Sequence, residues 1–291
     1  MRSIFYLKGH RHMITTHISP PAFRSRTILV SFLGAVVRKQ GSWMPIAGVV
    51  DLLGELGVDE SIVRTAVSRL KSRGWLTAEK RGTTKGYALS QLASDELTAG
   101  DAIVWHTPQP AQLEDGWCIV NFTVPEVERA IRHQLRTRLT AVGFGRVGAA
   151  VWIAPARALD AGRRVISELD IAMNCSVFVG RYAGERDLRE IVREGWDLRD
   201  LETRYHEFIA NVSAGVAVLS ASTTVEPSAA FAHYLSTVDR WRQLPYEDPG
   251  LPSALIGPSW PAAHAGALFE ETVNTFGPVA LDYAASRWPT T

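Results

Sequence analysis

Lysine is absent after residue 85 of this 291-residue chain, and cysteine occurs only twice. Cys118 and Cys175 have neither CxxC spacing nor a metal-ligand neighbour, which argues against a disulfide scaffold and a zinc finger. Uncharged apolar runs stay below the roughly 18 residues that a membrane span needs, and the first residues lack the apolar segment of a signal peptide. We therefore expect a soluble protein with a cytoplasmic location.

Motifs of the common enzyme classes are also missing. The sequence has no nucleophile elbow, phosphate loop, HExxH or convincing pair of carboxylates. "GFGRVG", residues 143–148, matches GxGxxG in form, but a dinucleotide site needs a strand before it and a helix after it, and here the order is reversed. "EDP" at 247–249 offers acids, yet its prolines favour a structural turn. We expect no enzymatic activity, no cofactor and no bound metal.

Charge is divided unevenly along the chain. Residues 1–90 hold 14 Lys and Arg against 5 Asp and Glu, whereas residues 91–291 hold 17 against 25. The two parts therefore carry net charges of +9 and −8, since 14 − 5 = 9 and 17 − 25 = −8. A basic module of this kind attracts polyanions by releasing their counterions. The first third is thus the candidate for nucleic-acid binding.

The basic third begins with an expected flexible tail over residues 1–22, in which His10, His12 and His17 fit no metal-binding spacing. Residues 23–92 then show the periodicity of three helices and a hairpin, which is the element order of a winged helix-turn-helix domain. The helices fall within 24–41, 44–57 and 59–73, and the hairpin falls within 75–90.

The third helix, in "VDESIVRTAVSRLKSRGWL", begins at the expected N-cap Asp59 and ends before Gly74. Its predicted buried face comprises Ile62, Val63, Ala66, Val67 and Leu70. A merely solvated face would normally mix both signs of charge. The opposite face here is basic and hydroxyl-rich, which favours docking in a DNA groove. The predicted DNA-binding residues are Ser61, Arg64, Thr65, Ser68, Arg69 and Lys71 on the helix, and Lys80, Arg81 and Lys85 at the hairpin turn.

The rest of the chain predicts two further domains, so the expected fold class is an α+β multidomain protein. A linker over 93–115 precedes a ferredoxin-like βαββαβ domain over 116–184, with dimerisation as its expected role. Residues 185–291 read as a helical domain for ligand sensing and dimerisation. Most of its aromatic residues are expected in the core, but those near the proline-rich turn combine with arginine in a way that suits a phosphate-bearing aromatic ligand. The predicted effector-binding residues are Arg240, Trp241, Arg242, Tyr246 and Trp260.

Four segments in this order resemble the PaaX family of repressors of phenylacetate catabolism: "RTAVSRLKSRGWL", "GWCIVNFTVPE", "RTRLTAVGFGRVGAAVWIAP" and "LPYEDPGLPSALIGPSW". The resemblance spans about residues 24–287. It implies a winged helix, a ferredoxin-like domain similar to that of a CRISPR-associated nuclease, and a helical C-terminal domain. It also implies a homodimer on palindromic operator DNA that an aryl- or acyl-coenzyme A, notably phenylacetyl-CoA, releases.

The sequence departs from the family pattern at two places. Before the proline turn the family often has a histidine that this chain lacks, since it reads Asp239, Arg240, Trp241, Arg242. The related nucleases carry an acidic metal ligand at the end of the first strand, where this chain has Asn121. An alternative hypothesis, a metal-dependent nucleic-acid-processing enzyme that uses the ferredoxin-like domain, is therefore disfavoured. A protein-interaction module without affinity for DNA is the third hypothesis.

Overall fold

The computed structural model describes residues 25–105, 109–123, 125, 128–221 and 224–288, so the predicted tail with His10, His12 and His17 lies outside them. The helices are α1 (Ser25–Ala35), α2 (Ile46–Gly54), α3 (Glu60–Ser72), α4 (Gln91–Val104), α5 (Arg129–Ala141), α6 (Leu159–Glu168), α7 (Leu188–Gly195), α8 (Leu198–Ser220), α9 (Pro227–Trp241), α10 (Leu244–Glu247), α11 (Ser253–Ile256) and α12 (Ala262–Ala285). The strands are β1 (Trp43–Pro45), β2 (Leu76–Arg81), β3 (Thr84–Leu89), β4 (Trp117–Phe122), β5 (Gly145–Arg146), β6 (Val151–Pro155) and β7 (Cys175–Gly180). Helices with two small sheets confirm the α+β class.

The N-terminal module has the predicted order of three helices and a hairpin. Helix α3 ends where Gly74 takes a left-handed φ of 77°, and the amide of Trp75 donates to the carbonyl of Leu70 at 2.9 Å. The sequence did not predict β1, whose three residues pair antiparallel with β3 and make a sheet of order β1-β3-β2. Pro45, expected in the second helix, is the last residue of this strand.

Helix α4 occupies residues 91–104 and so makes the first part of the predicted linker over 93–115 helical. Ser90 is the N-cap of this helix, and its hydroxyl accepts a hydrogen bond from the amide of Ala93 at 3.2 Å. Leu97 and Val104 pack against the main hydrophobic core. The burial of these side chains stabilises a helix that the Ala- and Thr-rich composition alone does not predict.

The middle domain has the predicted βαββαβ order. Its four strands pair antiparallel in the order β5-β6-β4-β7. Helices α5 and α6 cover one face of the sheet through residues such as Leu135 and Val165. The other face, at Trp117 and Ile153, packs against Val192 of α7. The predicted boundary at residue 184 therefore separates α7 from the sheet that it covers.

The N-terminal and C-terminal helices, which the sequence assigns to separate domains, share one hydrophobic core. Buried residues between 28 and 76 and between 201 and 284 form a single cluster. Phe32 of α1 meets Phe231 of α9 edge to face, with ring centroids 6.4 Å apart. Burial raises the pKa of Tyr234 to about 12, so its hydroxyl stays protonated and donates to the carbonyl of Ala35 at 3.3 Å.

Asp248 organises the proline-rich turn, and it confirms the structural interpretation of "EDP". Its carboxylate accepts hydrogen bonds from the hydroxyl of Tyr205 at 2.8 Å, the amide of Gly250 at 2.7 Å and the indole of Trp260 at 3.4 Å. Burial, reinforced by the charge of Asp248, raises the pKa of Tyr205. The tyrosine therefore remains a donor, and the turn is fixed to α8.

Candidate nucleic-acid interface

The predicted polar face of α3 lies at the surface, and all six of its named residues are exposed. Val63, Val67 and Leu70 are buried beneath it. Ile62, predicted on the buried face, is 37% exposed. Because it precedes Val63 by one residue, it is rotated about 100° from Val63 around the helix and lies at the edge of the buried face.

The polar face of α3 is not free of carboxylates, because Glu60 pairs with Arg64 one turn along the helix at 2.6 Å. Both side chains are more than half exposed, and exposed i,i+4 pairs contribute only about 0.3–0.5 kcal/mol. The hydroxyl of Thr65 donates to the carbonyl of Ser61 at 2.7 Å. Phosphates or base edges are able to outcompete these weak local contacts.

The tip of the β2–β3 hairpin concentrates positive charge. Lys80 and Lys85 are exposed and lie directly opposite each other across the strand pair. Like charges in this position oppose pairing unless an anion neutralises them. Arg81 is engaged within the module, since it pairs with Glu79 at 2.7 Å and lies 4.9 Å from the centroid of the Trp43 ring. The two lysines are thus better placed to reach phosphates than Arg81.

The five predicted effector-binding residues do not form one site. Trp241 is fully buried and stacks on Phe269 at 4.9 Å, and its indole donates to the carbonyl of Val104 at 2.7 Å. It belongs to the core, where its large apolar surface is best placed. Trp260 supports the proline turn through Asp248. Of the five, only Arg242 and Tyr246 line a cavity of about 250 Å³ between α1, α4 and α9, which we call the α1 cavity.

The α1 cavity lies between the C-terminal helices and the N-terminal module. Trp75, which directly follows α3, is part of its lining. Arg242 contributes a buried Nε that has no hydrogen-bond partner among the described residues and lies 3.6 Å from the carboxylate of Asp239. The hydroxyl of Ser31 in α1 donates to the same carboxylate at 2.7 Å. A ligand that binds Arg242 would therefore act close to α1.

Three family profiles match the chain in succession. Residues 24–93 match the PaaX-like protein family, residues 110–192 match the PaaX protein central Cas2-like domain, and residues 196–286 match the PaaX-like protein C-terminal domain. The chain belongs to the PaaX family. Its resemblance in the four sequence segments is thereby confirmed.

Two known proteins are similar to this PaaX-family chain over most of its length. The transcriptional repressor PaaX of Escherichia coli strain K12 is 26% identical over 271 residues, which cover 91% of this chain and 85% of that protein. The uncharacterised protein Rv0674 of Mycobacterium tuberculosis has a similar fold, with a TM-score of 0.59 and 20% identity over 89% of this chain and 98% of that one.

Asn121 lies on β4 opposite Val151 and Ser176. Within the described residues of this PaaX-family chain there is no cluster of three His, Cys, Asp or Glu side chains arranged for a metal ion. The same part of the chain has no helix long and apolar enough to cross a membrane.

Burial raises the pKa of Cys118 to about 11, so this thiol stays protonated at neutral pH.

The sequence did not predict a cleft of about 670 Å³ that lies between the middle sheet and the C-terminal helices. Gly145, part of the misleading GxGxxG pattern, lies at its edge, and a side chain there would come within 2.5 Å of the Trp196 ring. This glycine permits close packing rather than nucleotide binding. The available signal was the arginine spacing in "RAIRHQLRTRLTA", residues 129–141.

Proposed function

We propose that this PaaX-family chain is a DNA-binding transcriptional repressor whose N-terminal module is a winged helix-turn-helix. The main support for this proposal is the exposed basic face of α3, together with Lys80 and Lys85, which lie opposite each other on β2 and β3. The similar protein of Escherichia coli is named a transcriptional repressor. We further propose that the chain acts as a homodimer on a palindromic operator, because a two-fold symmetric dimer presents two recognition helices to two half-sites.

Helix α3 has the dimensions for entering a major groove. Its 13 residues span about 20 Å at 1.5 Å per residue, and a major groove about 12 Å wide admits one helix. In this proposal Arg64, Thr65, Ser68 and Arg69 face base edges, and Lys71 lies nearer the backbone. Ser61 is placed at the N-terminal end, where a helix approaches phosphates favourably.

Replacing Lys80 and Lys85 by alanine is expected to weaken binding to specific and nonspecific duplexes alike. Two fewer phosphate contacts should reduce the slope of log K against log salt by about 0.9 per contact. Fluorescence anisotropy over a series of salt concentrations measures this slope. Replacing Arg163 and Arg164, two exposed arginines on α6, by alanine is the charge-matched control and should leave the slope unchanged. A loss confined to one DNA sequence would contradict a positioning role.

The proposed effector is an aryl- or acyl-CoA thioester, and the proposed target is an operon for phenylacetate-type catabolism. The α1 cavity supports regulation by a ligand, because its walls join α1 to the C-terminal helices. Its volume of about 250 Å³ suits a small aromatic or acyl group and is below the roughly 300–1,000 Å³ of whole-ligand pockets. Regulation requires that the effector bind the DNA-free arrangement more tightly.

Saturating phenylacetyl-CoA is expected to weaken operator binding by about 5- to 150-fold, the usual range of allosteric coupling. Anisotropy of a labelled operator at fixed salt measures the change, and coenzyme A without an acyl group is the comparison. Unchanged operator affinity with every aryl- and acyl-CoA tested would contradict the sensing part of the proposal. The DNA-binding part would still stand on the salt and substitution measurements.

A further inference from the structure

We infer that the cleft between the middle sheet and the C-terminal helices, together with the basic face of α5, binds a phosphate-bearing organic ligand. This site is distinct from the α1 cavity and from all five effector residues predicted from the sequence. The inference rests on the proposed function in one respect, since it assigns the anionic portion of the effector to this cleft.

The first observation is the basic face of α5. Arg129, Arg132, His133 and Arg136 follow the spacing i, i+3, i+4 and i+7, which places them on one side of the helix. Among the residues that the structure describes, these four line a groove of about 340 Å³. The α5 helix contains no Asp or Glu, although acidic residues outnumber basic ones by 25 to 17 after residue 90. A groove of this composition suits phosphate oxygens.

The second observation is that the groove adjoins the larger cleft, because Arg136 lines both. Beyond Arg136 the cleft offers aromatic and apolar surface from Phe144, Trp152, Trp196 and Leu201. Its volume of about 670 Å³ falls within the roughly 300–1,000 Å³ of small-molecule sites. A ligand with phosphates at one end and an apolar or ring-containing portion at the other fits this polarity.

The third observation is a pair of buried donors. Nε of Arg136 and Nε1 of Trp152 are both buried, and neither has a hydrogen-bond partner among the described residues. Buried donors without partners are uncommon because they lose water and gain nothing in return. Both residues line the cleft. An oxygen-rich ligand in the cleft would supply the missing acceptors.

Four carboxylates also line the cleft, from Glu194, Asp197, Asp200 and Glu247. They belong to the opposite wall and are engaged there. Glu194 pairs with Arg186, Glu247 and Asp200 pair with Arg204, and Asp197 accepts from the amide of Asp200 as the N-cap of α8.

On the other wall, Arg136 is not neutralised in this way. Arg136 donates only to the carbonyl of Ala149, at 3.3 Å, and it has no carboxylate partner in the described part of the chain. Arg146, also in the cleft lining, lies exposed on β5. An anion would therefore bind on the α5 and β5 side.

The shape of the site favours a small molecule over DNA. The indole Nε1 of Trp152 is buried inside the cleft, and a convex duplex that touches α5 cannot reach it. The two walls come from α5 and β5 on one side and from α7, α8 and α10 on the other. A ligand bound between them would set their separation, and α8 packs on α9 and α12, which support α1.

The testing experiment uses the full chain, with coenzyme A and phenylacetyl-CoA as probes and isothermal titration calorimetry as the measurement. Arg136→Gln should weaken binding of both probes by about 10- to 100-fold, because it removes a charged hydrogen bond. The matched control is Arg138→Gln on the same helix, since Arg138 pairs with Glu168 outside the cleft. Trp152→Phe, which keeps the ring and removes the N–H donor, should weaken binding in the same direction.

The possible results of these measurements distinguish failure of the cleft assignment from failure of the repressor proposal. If phenylacetyl-CoA releases wild-type protein and Arg136→Gln protein from the operator at equal concentrations, the cleft assignment is wrong and the repressor proposal stands. If wild-type protein binds neither probe, the cleft assignment is wrong for this ligand class. If Arg136→Gln lowers operator affinity as much as replacement of Lys80 and Lys85 does, α5 contacts DNA and the cleft assignment is wrong.

Discussion

Replacing Trp241 by alanine is expected to lower the free energy of unfolding by about 3–5 kcal/mol, the cost of removing a large buried aromatic side chain. Trp241 is fully buried, stacks on Phe269 and contacts the rings of Tyr205 and Phe208. The substitution also leaves the carbonyl of Val104 without its indole donor. The loss should therefore combine a cavity with an unsatisfied acceptor.

The same substitution should destabilise the DNA-facing module, because α1 and the C-terminal helices belong to one core. Urea unfolding followed by circular dichroism gives the free energy, and hydrogen exchange of α1 and α12 amides reports the two regions separately. Trp241→Phe is the control, since it keeps most of the apolar volume and should cost much less. Unfolding of α12 while α1 stays protected would contradict a shared core.

Replacing Arg64 and Arg69 together by alanine should weaken binding to a selected operator by about 30- to 20,000-fold, since a bidentate contact to a base is worth about 1–3 kcal/mol. Both side chains are exposed on α3. Nonspecific duplex should lose much less, because base contacts carry the difference between specific and nonspecific binding. The ratio of the two affinities at one salt concentration measures the effect.

Glu60→Gln provides the matched control for this double substitution. It removes the carboxylate that pairs with Arg64 at 2.6 Å and should raise operator affinity slightly, because Arg64 is then free to bind DNA and a nearby negative charge is lost. Equal losses of specific and nonspecific affinity in the double variant would show that the two arginines contact phosphates only. The readout by α3 would then depend on Thr65 and Ser68.

Local patterns in the sequence predicted the long elements and the surface of α3 correctly. Helical periodicity identified α1 and α3, whose buried apolar residues recur on one face. The short strand β1 was missed because its three residues are defined by pairing with β3, some 40 positions away. The α4 helix was missed for a similar reason, because its stabilising partners, including Trp241, lie far along the chain.

The ligand sites were harder to predict because burial depends on tertiary packing. Trp241 and Arg242 are adjacent in sequence, yet one is fully buried in the core and the other lines the α1 cavity. The net charge did not point to Arg136, because acidic residues outnumber basic ones after residue 90 although α5 itself is basic. Only the fold shows that this face opens into a cleft with Trp152 and Trp196.

The shared core also bears on how this chain would tolerate exchange of its first 90 residues. The side chain of Trp288 donates to the carbonyl of Trp43 at 2.9 Å, and Gln40 donates to the carbonyl of Leu281 at 3.0 Å. Recombination that exchanged the first 90 residues between relatives would place α1 against helices that did not diverge with it. New operators are therefore expected to be acquired through point substitutions on the exposed face of α3, which leave that contact intact.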